Sequence, residues 1–183
     1  MDAMMWMRTA ALGVAAGLAA LATATAAPAP RKPVPDPPPP ASLEIRDVEA
    51  WATAYLDRDM WTLITHDIEG AHFTRDMGPR ATSPHMVEAE VRTELFRPVK
   101  MGPGWARSGL ARWSVDCATT RYAVLSMTIF SHNNLKGELA RKANADRSWM
   151  TPIESQVATI GVLCKAALEG APLERPLAPA KPS

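Results

Sequence analysis

Cysteine is nearly absent from this chain: Cys117 and Cys164 are the two in 183 residues. No close Cys/His spacing exists, so a four-ligand zinc site has no basis in the sequence. The net charge is only +1. That is too small to recruit nucleic acid, and there is no basic and aromatic ladder on which bases could stack. No serine sits in a Gly-x-Ser-x-Gly elbow. The Gly-Pro-Gly at 102–104 has neither the length nor the lysine of a phosphate loop. The one long apolar run, Ala10–Leu21, is too short to span a bilayer.

That run has another meaning. Arg8 precedes it and "ATATAA" follows, with small residues placed for cleavage after Ala24 or Ala26. This is the layout of a secretory signal peptide over residues 1–26, and a start at Met7 would make it cleaner. An uncleaved N-terminal anchor helix is the alternative. No Cys follows the run, so no lipid-modified N-terminus is expected. Next comes "PAPRKPVPDPPPPAS" at 28–42, with eight prolines. Proline fixes φ and removes an amide donor, so 27–43 reads as a disordered, semi-rigid spacer. The tail 170–183 has the same character. Twelve of the seventeen prolines lie in these flanks, which leaves 44–169 as the folded unit.

Within that unit Val48, Trp51, Ala52, Tyr55 and Leu56 form one stripe of a short amphipathic helix. After Asp57 the period changes to two. "MWTLITH" and "AHFTR" alternate about a turn at "DIEG". In "MVEAEVRTELF", Val87, Ala89, Val91 and Leu95 oppose Glu88, Glu90, Arg92 and Glu94, which reads as a strand with one wet face. "VKMGPGWARSG" reads as a loop. "ARWSVDC" then alternates, "RYAVLSMTIF" is the longest apolar strand, and "ELARKA" is a weaker last one. Thr151 as N-cap, Pro152 at N1 and Glu154 at N3 predict a helix that stops near Gly170. Its apolar stripe is Ile153, Val157, Ile160, Cys164 and Leu168, with Gly161 beside it to allow a close approach to the sheet. The expected fold is α+β: a five- or six-stranded antiparallel sheet, a C-terminal helix packed on it, and a short N-terminal helix.

Cys117 and Cys164 both fall on apolar faces, and an exported protein folds where disulfides form. A Cys117–Cys164 disulfide follows. A nucleophilic Cys would need a base and an electropositive, exposed setting, and neither sequence context supplies one. His66, His72, His85 and His132 are scattered over strands and loops.

Charge is uneven. Residues 44–94 carry eleven acids against five bases, and 95–168 carry ten bases against four acids. Either the halves pair within one sheet, or a basic face meets an acidic surface. Arg112, Arg121, Arg141 and Lys142 are the candidates for that face, joined by Arg107, Lys136 and Arg147. Asp116 and Glu138 read as solvated or paired with Arg112 and Arg141. Trp105, in the Gly/Pro stretch, is the candidate exposed aromatic.

The run "ARSGLARWSVDCATTRYAVLSMTIF", a polar Asn/Gly turn, and "SWMTPIESQVATIGVLCK" resemble the bacterial surface-adhesin protein E family over about residues 60–166. The shared pattern is an Arg-Ser before a strand, an Asp-Cys closing it, an Arg-bearing return strand, and a helix ending in Cys-Lys. The resemblance implies a small antiparallel sheet with a C-terminal helix packed on it. The family's founding adhesin is a surface lipoprotein that engages host extracellular proteins, and no binding motif of it matches here residue by residue. The expected function is an exported, non-catalytic, adhesin-like binding domain, periplasmic or at the cell surface. Its partner would be an envelope or extracellular macromolecule or polymer, with no cofactor, no catalytic or metal residues and no membrane span in the mature form. The alternative is a periplasmic hydrolase or metal-binding protein with a non-standard site.

Overall fold

The computed structural model describes residues 36–102, 104–144 and 146–173. The segment expected to be a signal peptide, residues 27–35 of the proline-rich stretch and the end of the tail lie outside them. In chain order the elements are α1 (Ile45–Tyr55), β1 (Trp61–His66), β2 (Gly70–Arg75), β3 (Arg80–Ser83), β4 (Met86–Met101), β5 (Gly104–Asp116), β6 (Arg121–His132), β7 (Lys136–Ala143) and α2 (Glu154–Glu169). All seven strands join one antiparallel sheet in the order β1-β2-β4-β5-β6-β7, and β3 pairs β4 beyond the end of β2. The architecture is the α+β one that the pattern predicts. The short "RATS" strand brings the sheet to seven.

Alternation on β4 sorts the core onto two faces. Val87, Ala89 and Val91 join Trp113, Val115 and Tyr122 beneath Ile160 and Leu163 of α2. Phe96, on the other face, joins Leu63, Ala71 and Phe73 beneath Val48, Trp51 and Ala52 of α1. The two helices therefore cover opposite faces.

Three readings of the sequence need correction. The "VKMGPGWARSG" stretch is not a loop. β4 and β5 run on through it, with Val99–Met101 paired to Gly104–Ala106 after a break in register following Glu94. Pro98, which lacks a ladder donor, falls within that break, where a strand tolerates it. Second, α2 starts later than the Thr-Pro signal predicts. Its N-cap is Ile153, whose amide donates to Gln156 Oε1 at 3.1 Å. The cause is tertiary: Met150 is bridged to Tyr122 by two backbone bonds of 2.8 and 3.2 Å, which holds the approach extended. Third, α2 is rotated. Thr159, Ile160 and Leu163 are buried, while Ile153, Val157 and Leu168 are exposed and a Cβ on Gly161 would meet nothing within 4 Å. The helix does end at Gly170, in the left-handed conformation (φ 67°) that favours glycine.

Two bonds fix that rotation. Thr65 and Thr159 share a hydroxyl hydrogen bond of 2.7 Å, and Cys117 is bonded to Cys164. The disulfide joins positions 47 apart in sequence, and the chain-entropy value for such a loop is about 4 kcal/mol. A Cys164→Ala variant should therefore melt well below the parent. Thiol titration of the denatured, unreduced parent should find none, and two titratable thiols would contradict the bridge.

Candidate binding surface and the charge clasp beside it

The polar residues of β4 do not share one wet face. At its α1 end, the Arg92 and Glu94 side chains are 4% and 0% exposed and form an ion pair with N···O contacts of 2.6 and 2.7 Å. Pairing two ions does not offset the cost of burying them unless their remaining donors and acceptors are met. Here they are. Arg92 Nη1 donates to the Asp57 carbonyl at 2.6 Å and Nη2 to Asn134 Oδ1 at 3.1 Å. Glu94 accepts from Asn133 Nδ2 at 2.9 Å and from the Asn134 amide at 3.0 Å. The guanidinium also lies 5.6 and 5.7 Å from the rings of Trp61 and Phe73.

Asn134 closes this clasp. It accepts from the Asp57 amide at 2.6 Å and donates to the Tyr55 carbonyl at 3.0 Å, so the β6–β7 turn is tied to the end of α1. Its φ is 63°, a left-handed conformation that Asn tolerates better than most residues. Burial pushes the Glu94 carboxyl above the ordinary carboxylate range, and Arg92, Asn133 and the Asn134 amide pull it back. Sequence reasoning missed these residues because Glu-Val-Arg-Thr-Glu alternates identically whether a helix or water covers its polar side. The Asn-Asn of the turn was the available cue.

Beyond the clasp, α1 no longer covers this face. What remains is an open groove of about 520 Å³. Its charges form a chain across the strands. Arg75 stacks 4.3 Å from the Trp61 ring and donates to Glu90 at 2.7 Å. Arg112 donates to Glu88 at 2.6 Å, Arg147 reaches the other Glu88 oxygen at 3.3 Å, and Arg80 lies 3.9 Å away. Met77, 96% exposed, and Met60 stand at the rim.

The candidate basic residues divide between faces. Register places Arg112, Arg121 and Arg141 on the groove side and Lys142, paired to Met127 and so to Ala111, on the α2 side. Arg121 donates to the Trp149 carbonyl, and Arg141 pairs with Glu138 at 2.7 Å. Asp116 caps the β5–β6 turn instead of meeting Arg112. Arg107 is buried against Asp36 at 3.2 Å, while Lys136 is exposed as the first residue of β7. Trp105 is 59% exposed at the tip of the β4–β5 hairpin. The histidines stay apart: His66 meets the Leu43 carbonyl, His72 meets Asp67 and His132 meets Asp36. Among the described residues no three His, Cys, Asp or Glu side chains converge on one point.

Residues 61–165 match the family model of surface-adhesin protein E, more than half of the sequence, and the chain belongs to that family. Two solved structures are similar to it at a distance. The crystal structure of protein E from non-typeable Haemophilus influenzae is 13% identical, covering 59% of this chain and 77% of that one, with a TM-score of 0.39. A second structure of Haemophilus influenzae protein E is 14% identical, covering 62% and 89%, with a TM-score of 0.41. No curated protein sequence matches.

The clasp makes a sharp prediction. Arg92→Met leaves Glu94 buried without its cation and should cost about 3–5 kcal/mol, read from the urea midpoint. Glu94 then binds a proton more tightly in the folded than in the unfolded chain. The variant should regain stability as pH falls towards the ordinary carboxylate value near 4.5. A loss under 1 kcal/mol, or one that deepens on acidification alone, would contradict the clasp.

Proposed function

We propose that this member of the surface-adhesin protein E family is an exported, non-catalytic binding domain. Its contact surface is the groove side of the sheet, and its partner is an acid-bearing extracellular or envelope macromolecule. One observation carries the reading: Arg80, Arg112 and Arg147 converge on the single carboxylate of Glu88 at an open, methionine-rimmed surface. A guanidinium has five N–H donors in a planar fork. Arg112 and Arg147 each spend one nitrogen on Glu88, so donors remain for an incoming carboxylate, sulfate or phosphate. The rim methionines are flexible and polarisable, which suits a surface that adapts to its partner. Three guanidinium groups on one carboxylate leave this cluster net positive, so binding there carries a part that salt screens.

Support for a binding role over catalysis comes from the family and from how the titratable groups are used. Asp67 and Asp116 each hold a turn, Glu94 the clasp, and Glu138 an ion pair with Arg141 within β7. A catalytic role would need a base, a nucleophile and a positioning group within reach of one another.

Two tests follow. Binding to lipopolysaccharide and to matrix proteins should weaken steeply from low to high salt. Arg112→Glu and Arg141→Glu should weaken it by about tenfold or more, the scale set by 1.4 kcal/mol per factor of ten. Lys142→Glu, on the other face, should leave it unchanged. Binding that ignores salt and both reversals rules out the basic face. Turnover of a substrate that a chelator abolishes would favour the hydrolase alternative. For export, the protein recovered from the periplasm should begin near Thr25 or Ala27, and an intact Met start in the cytosol would contradict it.

A further inference from the structure

The tip of the β4–β5 hairpin is built unlike the groove. Val99–Met101 pairs with Gly104–Ala106, and among the described residues no third strand is in register with either segment. Leu139 of β7 lies so close to Gly104 that a Cβ there would meet its methyl carbons at 3.0 and 3.1 Å, so this two-stranded end rests on the sheet. Lys100 and Trp105 are cross-strand partners, with the ammonium 5.8 Å from the ring centroid. Trp105 is 59% and Met101 39% exposed, and Arg97 is exposed at the base of the segment. The sequence from Phe96 to Arg107 contains no acid. Neither Arg97 nor Lys100 has a carboxylate partner among the described residues.

We propose that this tip docks on an anionic phospholipid bilayer, with Trp105 at the headgroup–acyl boundary and Lys100 and Arg97 over the headgroup phosphates. The make-up of the tip argues for a lipid surface: an exposed tryptophan and two cations without carboxylate partners, in a stretch with no acid, fit a fluid anionic interface. The chemistry agrees. Tryptophan has an apolar body and a polar N–H and settles at the membrane–water boundary. Unpaired cations beside it add attraction to anionic lipid. The surface is separate from the groove, so this proposal stands or falls independently of the ligand there.

The test reads Trp105 locally, so contacts made by other segments do not confuse it. The full chain is mixed with vesicles of phosphatidylglycerol and phosphatidylcholine carrying brominated acyl chains. The Trp105 signal is the difference between the parent and Trp105→Phe. That signal should shift to the blue and be quenched. Lys100→Glu should raise the lipid needed for half-quenching about fivefold or more, since each cation near an anionic surface is worth roughly that factor. Arg112→Glu, in the groove, should not change it. Pure phosphatidylcholine should leave the signal unshifted. A Trp105 signal that is unquenched on anionic vesicles, or equally quenched on neutral ones, would overturn the proposal. So would a shift on lipopolysaccharide that phosphatidylglycerol vesicles do not produce.

Discussion

Everything in this domain depends on β4 being covered on both faces, by different means. On one face the cover is α2, held by the Cys117–Cys164 bond and the Thr65–Thr159 hydrogen bond. On the other it is α1, held over Trp61, Leu63 and Phe73 and tied at its end to Asn134 of the β6–β7 turn. A sheet with one helix would leave Phe73 and Phe96 in water. Apolar contact alone would leave Arg92 and Glu94 as buried, unpaired ions. Apolar burial supplies the driving force, and the clasp makes burial of those two ions compatible with it.

The same arrangement explains where the open surface lies. α1 has only 11 residues, about 16 Å at 1.5 Å per residue, and it caps just the end of the sheet nearest β1. Past Arg92 the polar side of β4 emerges from cover. Glu90 and Glu88 then meet Arg75, Arg80, Arg112 and Arg147 in the groove. One strand thus turns from a buried charge pair to an exposed charge surface within a few residues. The staple acts similarly on the far side: by fixing the rotation of α2 it turns Ile160 and Leu163 inward and leaves Val157 and Gly161 outward.

Much of this was legible in the sequence. The alternation of Val87, Ala89 and Val91, the apolar β6, the Gly170 stop and the placement of both cysteines on apolar faces each rest on a local period, and each appears in the structure. The uneven charge was legible as well: an acid of the first half meets bases of the second at Glu88–Arg112 and Glu88–Arg147. What stayed hidden depends on contacts between distant segments. The start of α2 is delayed by the Tyr122–Met150 bridge, which no local signal encodes. The hairpin through Gly102 was masked because the glycines at its tight turn read as a longer loop, while the strands pair regularly up to Met101 and Gly104. The burial of Arg92 and Glu94 depends on a helix some forty residues upstream.

The central claim is that both faces of the sheet are covered near β1 and β4, one by each helix, while the groove rim and hairpin tip stay open. Hydroxyl-radical footprinting of the folded chain tests it most directly, because oxidation rates follow side-chain exposure. The account predicts fast modification of Met77 and Trp105, with Trp51 on α1 and Trp113 beneath α2 reacting only once the chain unfolds. Oxidation of Trp51 or Trp113 in the folded chain at the rate of Trp105 would contradict it.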